Sequence, residues 1–169
     1  AAENIAVKIR WFGLLFGYLL VNLSETRDSQ LILNLILELG VVYTVIDTAH
    51  SMRGQIFLRR SPLLISVMEA LFITMLCYFH QGLESAFRYY YLLSLICAAI
   101  RHTSGVTYLT WALHSVSFLA LYFLLPEERR LPAHLVFTLV IIGWVTWTAV
   151  AFATLLKRVG DHLSNLNRE

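Results

Sequence analysis

The feature that most constrains this chain is a series of six long apolar runs, at 9–23, 31–49, 62–79, 85–100, 106–125 and 132–156. A helix needs about 20 mostly apolar residues to cross the hydrocarbon core of a bilayer, and all six come near that length. A soluble protein would have to bury these runs against one another. A chain of 169 residues has too much surface for its volume to do so. Of its residues, 58% are hydrophobic and only 14% charged, where a soluble domain carries about 25% charged. The expected fold is all-α: a polytopic membrane helix bundle of six transmembrane helices.

The punctuation between the runs agrees. Ser24, Glu25, Thr26, Arg27, Asp28 and Ser29 make a polar turn. Arg59, Arg60 and Ser61 precede Pro62, which sits at a helix start where its missing N–H does no harm. Gln81-Gly82, Thr103-Ser104-Gly105 and the stretch from Pro126 to Pro132 separate the later runs. These connections are too short for an extra soluble domain. A transmembrane barrel would instead alternate apolar and polar residues in segments of about ten, and these runs do not alternate. Cys77 and Cys97 lie inside apolar runs and read as packing residues, not as a disulfide or metal framework.

Orientation follows from the basic residues. With six spans, one side holds Lys8, Arg10, Arg53, Arg59, Arg60, Arg101, Lys157, Arg158 and Arg168. The other holds Arg27, Arg88, Arg129 and Arg130, the last two following Glu127 and Glu128. The positive-inside rule then puts both termini in the cytoplasm. The first run follows Lys8 and Arg10 without a small-residue cleavage site after it, so it reads as a retained helix and not a signal peptide. The opening Ala1-Ala2-Glu3 and the helical pattern still open at Asn167-Arg168-Glu169 read as an excerpt from a longer protein.

Beyond the last run, Leu156, Val159, Leu163 and Leu166 are spaced three, four, three, with polar residues between them. That is the a/d seam of a coiled coil. The chain therefore divides into a transmembrane domain over 1–156 and the start of a cytoplasmic signalling helix over 157–169. An amphipathic tail lying on the headgroups is the competing reading, since two heptads are short for a coiled coil and Gly160 weakens the helix by about 1 kcal/mol relative to Ala.

Three stretches carry a resemblance. Ile9-Arg10-Trp11-Phe12-Gly13-Leu14-Leu15 opens the first run on a basic residue and a Trp. Tyr89-Tyr90-Tyr91-Leu92-Leu93-Ser94-Leu95-Ile96-Cys97-Ala98-Ala99-Ile100-Arg101 ends on small residues and an Arg. The last stretch is the exit from Leu155-Leu156-Lys157-Arg158 to Leu166-Asn167-Arg168-Glu169. Together they resemble the N-terminal transmembrane sensor domains of bacterial sensor histidine kinases, and of diguanylate cyclases built on the same plan. The resemblance implies a two-component signal-transduction protein in the bacterial inner membrane and a cytoplasmic output domain following in the same parent chain, and the seam of Leu156, Val159, Leu163 and Leu166 implies a homodimer. His162 lacks the phosphoacceptor context of that family, and no catalytic or nucleotide motif is present.

Ionisable groups within a bilayer are expensive and often functional. Asn34 and Glu38 lie four apart on one helix face, and Glu38 lies about 12 Å from the helix end at 1.5 Å per residue. It is expected to face other helices or a watery cavity, as a ligand or proton site or as a helix–helix hydrogen bond. Glu69 and His114 could meet across two helices, as glue or as a pH-responsive pair. Asp47, His50 and Arg53 could stripe one face as an ionic lock; one Asp and one His do not make a metal site, and no metal or cofactor is expected. On the outer side, His80, Arg88, Tyr89, Tyr90, Tyr91 and His134 fall near the headgroups. They read as interfacial anchors or as a pocket for a small or amphiphilic ligand, with Arg88 on an acid group. Trp144 and Trp147 read as packing or lipid contacts.

These residues support a transmembrane sensory input module, with Asn34, Glu38, Glu69, Arg88, His114 and His134 as candidate sensing residues and the seam as the coupler. The alternative is a small transporter or channel subunit with Glu38, Glu69 and His114 lining the path. Transporters often break helices with Gly or Pro at the midplane, whereas Pro here falls only at run ends. The lipid bilayer is the expected environment, and a net charge of +2 gives no reason to expect nucleic acid.

Overall fold

A computed structural model describes residues 2–23, 29–53 and 61–166, with side chains over 5–23, 29–53 and 61–162. The polar turn at 24–28 and the basic loop at 54–60 lie outside the described residues. The elements are α1 (Ala2–Leu23), α2 (Gln30–Met52), α3 (Pro62–His80), α4 (Tyr90–Arg101), α5 (Ser104–Leu124) and α6 (Pro132–Leu166), with short 3₁₀ turns at Gly82–Glu84, Ala86–Tyr89 and Glu127–Arg129. Among the described residues there is no strand.

Five helices, α1, α2, α3, α5 and α6, are long and apolar enough to cross a membrane. Only 22–33% of the residues in their apolar windows are buried, so most of that surface needs a hydrocarbon solvent. The outward face of α6 carries Phe137, Val140, Trp144 and Trp147, each more than 60% exposed or close to it. By the length and apolarity of its helices the chain is a multi-pass membrane protein.

The fourth apolar run differs from the expectation of one long helix. It starts as the 3₁₀ turn Ala86–Tyr89 and continues as α4, which has 12 residues and so rises only about 18 Å. The local cause is the sharp entry. Gly82 has φ +64°, a left-handed conformation that disfavours side chains, and a Cβ there would approach Leu125 Cδ1 to 2.9 Å. Ser85 then caps the turn: its Oγ accepts from the Phe87 N–H at 3.2 Å and lies 3.1 Å from His80 Nδ1.

The short helix is the centre of the bundle. It packs against α1, α3, α5 and α6, and Tyr91 and Leu95 are fully buried. They meet Leu37, Leu76, Phe118 and Ile142 from the surrounding helices in one continuous core. Helices α1 and α2 form a neighbouring pair, closed near one end by Asn22, whose Nδ2 donates to Asn34 Oδ1 at 3.3 Å. Trp11 Nε1 donates to Thr48 Oγ1 at 3.1 Å towards the other end. Helix α6 rests on α4 and α5.

Candidate functional site

Two carboxylates and two guanidiniums gather inside the bundle. Arg10 of α1 reaches with Nη1 to Asp47 Oδ2 on α2 and with Nη2 to Glu69 Oε1 on α3. Arg101, the last residue of α4, donates from Nη2 to the same Asp47 oxygen at 2.9 Å. The side chains of Arg101 and Asp47 are 2% and 1% exposed, and those of Arg10 and Glu69 are 12% and 17% exposed. Removing such groups from water is affordable only when the charges are paired. Here two positive and two negative charges balance. The planar fork of Arg10 serves two carboxylates on two different helices, a geometry the point charge of a lysine does not supply. Its guanidinium also lies 5.1 Å from the centre of the Tyr43 ring, a cation–π contact.

A chain of hydrogen bonds leads from this quartet towards the middle of α5. Ser94 Oγ on α4 donates to Glu69 Oε2, and His114 Nε2 lies 2.8 Å from Ser94 Oγ. With the serine proton given to the carboxylate, the imidazole donates through Nε2–H and Nδ1 is left as an acceptor. That Nδ1 is buried and has no hydrogen-bond partner among the described residues. The Tyr91 ring lies 5.1 Å from the imidazole, centre to centre. Hydroxyls secure α3 to α5 on either side: Ser66 lies 2.7 Å from Thr110, and Thr74 and Ser117 are bonded to each other and to the Tyr91 hydroxyl.

Beside the quartet is a cavity of about 310 Å³ bounded by α1, α2, α3 and α4. Arg10, Tyr43, Thr44, Glu69, Tyr90 and Ser94 bring polar groups to its lining, and the rest of the lining is predominantly apolar. Leu39 of α2 and Met68, Leu71 and Met75 of α3 border it while being 41–65% exposed on the outside of the bundle. The cavity therefore opens sideways, between α2 and α3.

The sequence-based candidates take different places in the structure. Glu69 and His114 do belong to one cluster, but Ser94 joins them; they do not touch directly. Asp47 is held by Arg10 and Arg101 and not by a lock with its sequence neighbours, and His50 Nδ1 lies 2.9 Å from Ile46 O on its own helix. Asn34 pairs with Asn22. Glu38, expected to face the bundle, is exposed on its outer surface, and no hydrogen bond or ion pair holds it among the described residues. Of Glu38, Glu69 and His114, Glu69 borders the cavity between α1, α2, α3 and α4.

Arg88 and His134 form a separate cluster. Arg88 Nη1 donates to Leu83 O at 2.9 Å and lies 3.1 Å from His134 Nδ1, and Nη2 donates to the Tyr89 hydroxyl at 3.2 Å. His134 Nε2 lies 3.9 Å from Glu84. The cleft beside Arg88 holds about 10 Å³, one water at most. The seam begins on exposed positions: Leu156 is 70% and Val159 50% exposed. Leu163 and Leu166 lie within α6, but their side chains are outside the described residues. Arg10, Tyr43, Ser94 and Arg101 are the site residues that sequence reasoning missed. The only signal was that Arg10 and Arg101 adjoin apolar runs, which reads equally well as flanking charge.

Among the described residues no three His, Cys, Asp or Glu side chains gather into a metal-binding group. The arrangement can instead hold helices in register, move a proton between Glu69 and His114 through one hydroxyl, and receive an uncharged guest from the lipid side. No protein family, curated protein or solved structure matches the chain.

Proposed function

We propose that the chain is the membrane-embedded input module of a bacterial signal-transduction protein, working as a homodimer in the inner membrane. It passes a stimulus through α6 to a cytoplasmic output domain, of which a histidine kinase is the leading candidate. The observation that carries this reading is the length of α6. It is one continuous helix of 35 residues, about 52 Å at 1.5 Å per residue, against a hydrocarbon core of about 30 Å. In this reading about 20 Å of helix extends beyond the lipid, bearing Leu156 and Val159 beside Lys157 and Arg158.

The bundle supplies a mechanical link to that helix. Helix α4 contributes Ser94 and Arg101 to the polar cluster and also packs on α6. A change in the cluster moves α4, and α4 moves α6. In the proposed topology α4 is a true crossing. The 3₁₀ turn Ala86–Tyr89 and α4 together rise about 26 Å, which joins α3 to α5 from opposite sides of the bilayer. That makes six spans with both termini in the cytoplasm.

Cysteine cross-linking along α6 tests the coupler, in membranes and in a background where Cys77 and Cys97 are replaced. Cysteines at positions 156, 159, 163 and 166 should cross-link strongly between copies, and those at 157, 161 and 165 weakly. Uniform or absent cross-linking rejects the paired coupler. Reporter fusions at 84 and 128 should score external and at 103 internal; an internal score at 84 removes the six-span topology.

A further inference from the structure

We propose that the cavity between α1, α2, α3 and α4 binds an uncharged amphiphile from the bilayer, with its hydrogen-bonding head group against Arg10 and Glu69 and its apolar chain leaving between α2 and α3. The assignment deepens the sensory reading and rests on it for its purpose, but its test measures occupancy and not output.

Three observations carry it. The first is access. Leu39, Met68, Leu71 and Met75 border the cavity and are also exposed on the outside of apolar helices. A route between them leads to acyl chains and not to water. Two of the four are methionines, unbranched side chains that adapt to irregular guests. The second is size. At about 310 Å³ the cavity lies at the lower end of the range for ligand sites, about 300–1,000 Å³. It suits one compact head group and the first part of a chain.

The third is charge. The cluster at the polar end is already neutral, with Arg10 and Arg101 against Asp47 and Glu69. A charged head group would leave one charge uncompensated in a low-dielectric site, and unpaired buried charge is strongly disfavoured. Hydrogen bonding is nonetheless on offer. Arg10 borders the cavity and carries five N–H donors, of which Asp47 and Glu69 take one each among the described residues. A hydroxyl or carbonyl oxygen would accept from those that remain. The guest is thus defined by chemistry: neutral, with an oxygen acceptor, and attached to an apolar chain.

The test is photolabelling of the full chain in phosphatidylcholine nanodiscs. Three probes share one diazirine-bearing hexadecyl chain and differ in the head: an alcohol, a sulfate and a trimethylammonium. Labelled residues are mapped by mass spectrometry. The alcohol should label the peptides carrying Leu39, Met68 and Leu71 about tenfold more than the lipid-facing Phe137 and Val140 of α6. The sulfate and trimethylammonium should lose that preference, since a charge within the bilayer is disfavoured by more than about tenfold. Met68→Trp and Leu71→Trp, both at exposed rim positions, should abolish the enrichment, and Val140→Trp should leave it intact.

Equal labelling of the two faces by the alcohol overturns the proposal. So does equal enrichment of all three heads, or enrichment that survives both rim substitutions. Enrichment with no periodic cross-linking of α6 would uphold the site while rejecting the sensory reading, so the two fail separately.

Discussion

Neutralising Asp47 is the sharpest perturbation the structure offers. Its Oδ2 receives both Arg10 and Arg101, so Asp47→Asn leaves two guanidiniums facing one remaining carboxylate, Glu69. At the 2.9 Å separation of Arg101 and Asp47, an effective dielectric of about 20 gives a gross attraction of about 6 kcal/mol. Desolvation of both ions offsets part of that, and breaking a buried pair by removing one partner costs about 3–5 kcal/mol. The folded fraction relative to the unfolded should therefore fall between about a hundredfold and a few thousandfold. Removing a charge of each sign is a different matter. Asp47→Leu combined with Arg101→Leu keeps Arg10 opposite Glu69 and restores neutrality, and replacing a buried pair by apolar groups is often close to neutral. The double variant should recover at least about half of the loss. The measurement is equilibrium unfolding of the purified protein in mixed micelles of dodecyl maltoside and dodecyl sulfate, followed by circular dichroism. A cost for Asp47→Asn below about 1 kcal/mol, or a double variant less stable than Asp47→Asn, would show that the quartet is not a charge-balanced unit.

The same assay separates strong ties from weak ones. Thr110→Val removes the bond to Ser66 and should cost about 0.6 kcal/mol, and no more than about 1.7, the range for hydrogen bonds between membrane helices. A Cβ at Gly17 would sit 2.7 Å from the Tyr90 hydroxyl and 2.9 Å from Leu37 Cδ2, so Gly17→Leu should cost about 1–3 kcal/mol. Gly17→Ala with Tyr90→Phe should cost less than the sum of the single changes, and simple additivity would remove the clash as the cause. His102, between α4 and α5, has its pKa lowered, chiefly by burial and then by Arg101. The unfolded chain then binds the proton more tightly, so its contribution to stability is lost as pH falls below 6.5 towards the folded value. His102→Gln should flatten that part of the pH profile, and an unchanged slope would assign it elsewhere.

The helices were legible in the sequence because a bilayer imposes a length, and five of the six long apolar runs met it. The exception, α4, shows what hydropathy omits. Its residues are as apolar as those of a lipid-facing helix, but Tyr91 and Leu95 face protein on all sides, and apolarity alone does not say which solvent a side chain meets. Azimuth was the second gap. Spacing put Asn34 and Glu38 on one face without saying which way that face points: Asn34 turned towards α1 and Glu38 outward. Spacing does not say whether Glu69 and His114 meet; they share a cluster only through Ser94. Ser94, which joins them, carries no signature, because hydroxyls in helices commonly bond their own preceding turn, as Thr44 does with Gly40 O and Thr146 with Ile142 O. Arg10 and Arg101 were hidden for the opposite reason. A basic residue at the end of an apolar run serves membrane orientation so regularly that a second use, inside the bundle, leaves no separate trace.

The burial of α4 bears on how the protein is made. A segment of 12 residues ending in Arg101 is a poor substrate for the translocation machinery, which releases segments sideways into lipid according to their own hydrophobicity. The surfaces that cover α4 belong partly to α1 and α3, synthesised before it, and partly to α5 and α6, synthesised after it. Order of synthesis and order of burial therefore diverge. The complete burial of α4 requires α5 and α6, the last two helices to leave the ribosome.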